Sequence, residues 1–141
     1  EQGHEIGYHS EVIDQALIWD EDPADCLIRD LNLINTGFGI EVKGVASHGG
    51  FTGFNNLDFW KQHTAKDFGL LYEAYDKELN FNLFDNSLYV SDSEWTRWKC
   101  YSQGKLQKND YRTPSEHAMD NHELIYLLIH SDTYFDRHFY E

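Results

Sequence analysis

The chain has 141 residues, of which 40% are hydrophobic and 16% aromatic, a size and composition that predict one domain with a sizeable core. Its formal net charge of -14 at pH 7 repels phosphate backbones, so nucleic acid is excluded as an expected partner. An apolar run of about 18 residues, the length that a membrane span requires, does not occur.

Two observations bear on the origin of the chain. It opens with Glu1 and has no initiating methionine, so we expect the interior of a longer protein. Cys26 and Cys100 form no CxxC or zinc-knuckle spacing, which predicts two unpaired thiols. Unpaired thiols favour a reducing compartment, and so a cytoplasmic location over the cell envelope.

The first half of the chain alternates between strand and helix patterns. Residues 5–10 predict a short strand, and a helix is expected from Pro23 to about residue 35, ending before Gly37 and Gly39. A β-rich run follows at residues 40–46. Asn56 then suits the N-cap of a helix over residues 57–66.

The second half repeats the alternation. Short strands are expected at residues 70–75 and 87–90, and a polar stretch at residues 101–111 predicts a loop. A helix should begin at Thr113 or Ser115. The apolar run at residues 124–129 predicts a central strand buried on both faces, as in parallel sheets. This order of elements indicates a parallel α/β sheet or barrel, in which chemistry gathers at the carboxyl ends of strands.

Ionisable residues end four of the predicted strands: His9, His48, Asp92 and His130. In a parallel arrangement they would meet at one mouth, where they could form a divalent-metal site, an acid–base pair, or both. The alternative is that each histidine is a hydrogen-bonded structural residue. The remaining histidines after His4 are predicted to lie on the surface; they are His63, His117, His122 and His138.

A resemblance to a known family rests on the segment Gly-His-Glu-Ile-Gly-Tyr-His-Ser at residues 3–10. It resembles a motif of the polysaccharide deacetylases. Later segments agree in order with a divergent branch linked to surface-polysaccharide biosynthesis. These are Ser-His-Gly at residues 47–49, Tyr-Val-Ser-Asp at 89–92 with Arg-Trp at 97–98, and Leu-Ile-His at 128–130.

The resemblance implies a distorted parallel (β/α) barrel whose N-terminal part, with the family's aspartate motif, would lie upstream of Glu1. Residues 1–141 would be a single domain, the C-terminal portion of that barrel. The implied cofactor is a divalent metal, zinc, held by His9 and His48. The family's next histidine ligand corresponds to Ile13, so Glu11 becomes the third candidate ligand, with Asp14 as its alternative.

The resemblance also implies how the reaction would run. His130 would protonate the leaving amine or alkoxide, and Asp92 would orient His130. An acetylated sugar or polysaccharide would be the substrate, and three tryptophans could stack on its rings; they are Trp60, Trp95 and Trp98. The tryptophans could equally be core residues.

The sequence thus predicts a metal-dependent hydrolase that removes acetyl groups from a sugar or surface polysaccharide. Two alternatives stay open. One is a noncatalytic carbohydrate-binding or scaffolding relative of the deacetylase barrel, which the absence of the family's second histidine favours. The other is a metal hydrolase that cleaves an amide outside sugars. The sugar, the metal and the oligomeric state are left open by the sequence.

Overall fold

The computed structural model describes residues 3–76, 82–93 and 97–130 of the chain. The chain divides into two units, Glu1–Phe81 and Asn82–Glu141. Over the described residues the first unit holds a three-stranded sheet and the second a four-stranded sheet. Neither sheet closes on itself, so the predicted distorted (β/α) barrel is wrong. The alternation of strand and helix patterns is shared by open sheets and barrels, and therefore could not separate them.

The sheet of the first unit is parallel, as predicted, with the strand order β1, β2, β3. Its strands are β1 (Tyr8–Ser10), β2 (Gly44–Ser47) and β3 (Tyr72–Glu73). Its helices are α1 (Val12–Trp19) and α2 (Pro23–Phe38), together with two 3-10 helices, Asn56–Lys61 and Ala65–Phe68.

The predicted helix at Pro23 is confirmed as α2. Asp22 caps it by accepting a 2.8 Å hydrogen bond from the backbone N–H of Ala24, and Pro23 occupies the first turn. Gly39 ends it in the left-handed conformation at φ 63°. With 16 residues it is the longest helix of the described part, in which no helix is long and apolar enough to cross a membrane.

Helix α1 was not predicted. Its buried face consists of Val12, Asp14 and Ala16, whereas the apolar residues at positions 17–19 face solvent. Because the exposed side carries the larger apolar residues, the sequence lacks the one-sided apolar stripe that identifies an amphipathic helix. The buried face joins a core that spans both helices and β2. Its buried members are Val12, Ala16, Cys26, Leu27, Leu31, Val42, Val45, Phe59, Ala65 and Leu70.

The sheet of the second unit is mixed. Its strands are β4 (Leu88–Ser91), β5 (Lys99–Ser102), β6 (Lys105–Leu106) and β7 (Ile125–Leu128), and its helices are α3 (Leu83–Asn86) and α4 (Pro114–Ala118). The strand order is β6, β5, β4, β7, with β4 and β7 parallel and the other pairs antiparallel. The β5–β6 hairpin occupies part of the segment that was predicted as a loop.

Strand β7 is not the buried central strand that its apolar run predicted. All four residues of β4 are buried, whereas those of β7 are half-buried or exposed. Within the described residues β7 pairs only with β4 and lies at an edge of the sheet. An apolar run is compatible with either position, because periodicity does not report how many strands flank it.

Candidate functional site

The two predicted histidine ligands of the first unit lie on neighbouring parallel strands. His9 belongs to β1 and pairs in register with Ala46 of β2. His48 directly follows β2, and its backbone N–H donates to the carbonyl oxygen of Ser10 at 2.9 Å. The ring centroids of His9 and His48 are 5.4 Å apart, with the rings edge to face at 87°. The structure therefore brings these two imidazoles together.

Glu11 approaches the Nδ1 side of the His48 ring. Its Oε1 lies 3.6 Å from His48 Nδ1, and the backbone N–H of Gly50 donates to the same nitrogen at 3.3 Å. Gly50 has φ +97°, and a Cβ there would lie 2.0 Å from the carbonyl oxygen of Phe54, so only glycine fits this turn. At 3.6 Å, Glu11 does not hydrogen-bond to Nδ1 of His48, which accepts from Gly50 instead.

Asp14, the alternative to Glu11, is fully buried and already satisfied. Its carboxylate accepts hydrogen bonds from the backbone of Phe51, from both the backbone and the hydroxyl of Thr52, and from the side chain of Asn56. Burial alone would raise the pKa of Asp14, but these hydrogen bonds outweigh it and lower the pKa below its ordinary value. Asp14 therefore anchors the loop that follows His48.

Trp60 lines a pocket of about 390 Å³ in the first unit. Its indole Nε1 donates to Ser47 Oγ at 2.8 Å, which fixes the ring beside the carboxyl end of β2. Glu73 and Tyr75 also line the pocket, and burial raises the pKa of Glu73. The full lining is Leu57, Asp58, Trp60, Lys61, His63, Thr64, Ala65, Glu73, Tyr75 and Asp76.

In the second unit, Asp92 and His130 follow the adjacent parallel strands β4 and β7. Asp92 is fully buried, and it accepts from the backbone N–H of His130 at 2.9 Å. Its other carboxylate oxygen lies 2.6 Å from Nδ1 of the His130 ring. The predicted partnership of these two residues is therefore present as a two-point hydrogen-bonded contact, and the His130 side chain keeps 25% of its surface accessible.

The other two predicted tryptophans differ from Trp60. Trp98 is only 2% exposed and packs with Val90 and Cys100 in the hydrophobic core of the second unit. A side chain so enclosed cannot present a face to a sugar, so we assign Trp98 to the core. Trp95 lies outside the described residues.

One of the histidines predicted on the surface is buried. His117, on α4, is 0% exposed, and neither of its ring nitrogens has a hydrogen-bond partner. His63 is half-buried and stacks on Phe59 at 4.4 Å, and His122 is exposed as predicted. His138 lies outside the described residues.

His117 belongs to both sets of three donor residues that lie close enough to share a metal ion in the described ranges. The sets are Cys100, Asp110 and His117, and His117, Asp120 and His122, and within each set the donor atoms are within 4.8 Å of one another. The donor atoms of His9, His48 and Glu11 do not all lie within that distance of one another. No spacing signal in the sequence points to Cys100 and Asp110, because these donors come from a strand and a loop that only the hairpin brings beside α4.

Comparisons of this chain with models of protein families, with curated protein sequences and with solved structures found no match.

Proposed function

We propose that this chain is a metal-dependent hydrolase that removes acetyl groups from a sugar or polysaccharide. The observation that carries the proposal is the contact between buried Asp92 and the ring of His130. A buried carboxylate held against one nitrogen of an accessible imidazole is the arrangement by which acid–base histidines are oriented. The resemblance of the motifs to polysaccharide deacetylases supports the choice of substrate.

The position of the proton between Asp92 and His130 decides which ring nitrogen would act in the reaction. An ionised Asp92 can only accept hydrogen bonds, so the 2.6 Å contact places a proton on Nδ1 of His130. Nε2 is then the nitrogen that exchanges a proton with the substrate. In the proposed reaction Nε2 donates to the departing amine or alkoxide, and Asp92 stabilises the imidazolium before the transfer.

His9 and His48 supply imidazole ligands in the proposal. A divalent metal bound there would polarise the acetyl carbonyl and acidify a water. Glu11 remains the third candidate ligand in the proposal, because its Oε1 lies 3.6 Å from Nδ1 of His48.

The pocket beside Trp60 suits a sugar. An indole face offers an apolar surface for the C–H face of a sugar ring, and an exposed carboxylate such as Asp58 accepts hydrogen bonds from hydroxyl groups. The hydrogen bond from Trp60 to Ser47 ties the indole to the residue that precedes His48. Substrate recognition and metal ligation would then share the carboxyl end of β2.

The test is release of acetate from N-acetylated chitooligosaccharides and from O-acetylated xylan, with zinc or cobalt supplied to the full chain. We expect turnover that depends on the metal, is lost with His48→Ala, and survives His4→Ala, a change at an exposed histidine nearby. Absence of acetate release from both polymers, with metal bound, would overturn the hydrolase proposal.

A noncatalytic carbohydrate-binding protein is the second candidate. It is favoured by Ile13, which stands where the family's second histidine ligand is expected, and by the looser spacing of His9, His48 and Glu11. This candidate predicts that the same acetylated sugars bind without turnover, and that Trp60→Ala weakens their binding. Calorimetry with uncleaved chitooligosaccharide separates it from the hydrolase.

A further inference from the structure

His117 is a buried imidazole without a hydrogen-bond partner. It is 0% exposed, and both ring nitrogens lack a donor or acceptor. An unsatisfied buried polar group destabilises the folded state. The helix that carries His117, α4, has a well-defined beginning. Thr113 and Glu116 exchange hydrogen bonds in a capping box, and Pro114 occupies the first turn. The fold holds this ring in place at a cost in stability.

The atoms around His117 are metal-ligand atoms. Cys100 on β5 is 1% exposed, and Asp110 follows β6. The donor atoms of Cys100, Asp110 and His117 lie within 4.8 Å of one another, and Asp110 Oδ1 is 3.6 Å from His117 Nε2. Three elements of one unit thus direct a sulfur, an oxygen and a nitrogen toward a common point.

We propose that Cys100, Asp110 and His117 bind a zinc ion that staples the β5–β6 hairpin to α4. The proposal does not depend on the hydrolase function. Zinc accepts thiolate, imidazole and carboxylate ligands at about 2.0–2.3 Å, whereas calcium and magnesium prefer oxygen alone. Three protein ligands leave a fourth position for water. Bringing the donors to these distances requires side-chain shifts of about 1 Å.

The protonation states agree with this ligand set. Burial lowers the pKa of His117, so its imidazole is neutral and has a lone pair to offer. Burial raises the pKa of Cys100 to about 11, so the thiol keeps its proton until a metal displaces it. Binding would therefore release one proton from Cys100 into solvent.

Arg112 holds the carboxylate of the site. Its Nε and Nη2 donate to the two oxygens of Asp110 at 3.0 and 2.9 Å, and its other Nη1 contacts Asp120. These hydrogen bonds lower the pKa of Asp110 and fix its orientation, as partners of metal-bound carboxylates commonly do. Asp120 and His122, which complete the alternative set with His117, are exposed. We therefore assign the ion to the buried set.

Cobalt in place of zinc gives the decisive readout, because a thiolate bound to cobalt produces a charge-transfer band in the near ultraviolet. We expect metal-free full-length chain to gain this band on titration with cobalt, and Cys100→Ser to lose it together with one equivalent of bound zinc. Cys26→Ser is the matched control, since Cys26 is also buried and unpaired. The band should survive Cys26→Ser.

Two further variants separate this site from its alternatives. His48→Ala should leave the cobalt band unchanged, so that failure of the hydrolase proposal and failure of this one remain distinguishable. His122→Ala should change zinc affinity less than about threefold, whereas loss of a true ligand should weaken it on the order of 100-fold. Loss of metal with His122→Ala but not with Cys100→Ser would overturn the ligand set.

A further measurement needs only the wild-type chain, so its outcome does not depend on whether the Cys100→Ser variant folds. Zinc should slow the alkylation of Cys100 by iodoacetamide at least tenfold and leave that of Cys26 unchanged, read by peptide mass spectrometry. Equal alkylation rates at Cys100 with and without zinc, or a wild-type chain that shows no cobalt–thiolate band, would overturn the proposal.

Discussion

The two units treat a fully buried polar side chain in opposite ways. In the first unit, Asp14 accepts hydrogen bonds from Phe51, Thr52 and Asn56. In the second unit, His117 is equally buried and has no hydrogen-bond partner. Hydrogen bonds account for the burial of Asp14, whereas the burial of His117 needs another explanation, for which we propose a bound zinc ion. The difference teaches that burial alone does not distinguish an anchor from a site.

The strand-end histidines repeat the contrast. His48 of the first unit has a carboxylate, Glu11, at 3.6 Å, and its Nδ1 also accepts from a backbone N–H. His130 of the second unit has a buried carboxylate, Asp92, at 2.6 Å that also binds its backbone. Asp92 therefore holds His130 at two points, whereas Glu11 makes no hydrogen bond to His48.

The largest expected effect tests this second contrast. His130→Ala should lower kcat for an acetylated sugar by about 10²–10⁴-fold, because the general acid is removed, while bound metal at His9 and His48 stays unchanged. Steady-state kinetics and elemental analysis on the same preparation measure both quantities. A loss of bound metal from this variant would contradict the role of general acid.

The next effect concerns the anchor of the first unit. Asp14→Ala should lower the free energy of unfolding by about 3 kcal/mol, because the donors of Thr52 and Asn56 lose their acceptor inside the protein. Urea denaturation measures the change. Asp25→Ala, at an exposed acid in the first turn of α2, is the control and should cost less than about 1 kcal/mol. A cost below that of the control would contradict the anchoring role.

His117→Leu should have an effect whose sign depends on zinc. In metal-free protein we expect the variant to be as stable as wild type or more so, since an unsatisfied polar group is replaced by an apolar one. With free zinc at about 100 times the dissociation constant of this site, wild type should gain about 2.7 kcal/mol more than the variant does. Urea denaturation of both proteins, with chelator and with zinc, provides the comparison. A variant that is destabilised equally under the two conditions would refute the prediction.

The smallest expected effect is on how steeply the free energy of unfolding falls at acidic pH. The folded-state pKa of Asp14 is lowered from 3.8, so the unfolded chain binds more protons and stability falls as pH falls below about 4. The contribution of Asp14 is full above that value. Asp14→Asn, which cannot titrate, should therefore lose less stability than wild type as the pH falls below about 4. If the free energy of unfolding falls equally steeply with pH in the variant and in wild type, Asp14 does not make this contribution.

The sequence by itself determined the features that depend on local physical chemistry. Pro23, Asp22 and Gly39 define α2 because capping acts within one turn. The parallel pairing of β1 with β2 and of β4 with β7 agreed with the alternation of patterns. Strand ends were expected at Asp92 and His130, and their partnership was what the resemblance to polysaccharide deacetylases implied. Each of these needs only neighbours in sequence or the end of a strand.

Tertiary structure decided the features that depend on which elements meet. The open sheets in place of a barrel, the edge position of β7 and the core position of Trp98 depend on how strands are flanked, which periodicity does not encode. The burial of His117 beside Cys100 and Asp110 was hidden for the same reason: the β5–β6 hairpin brings distant residues together, and each donor taken alone has an ordinary sequence context.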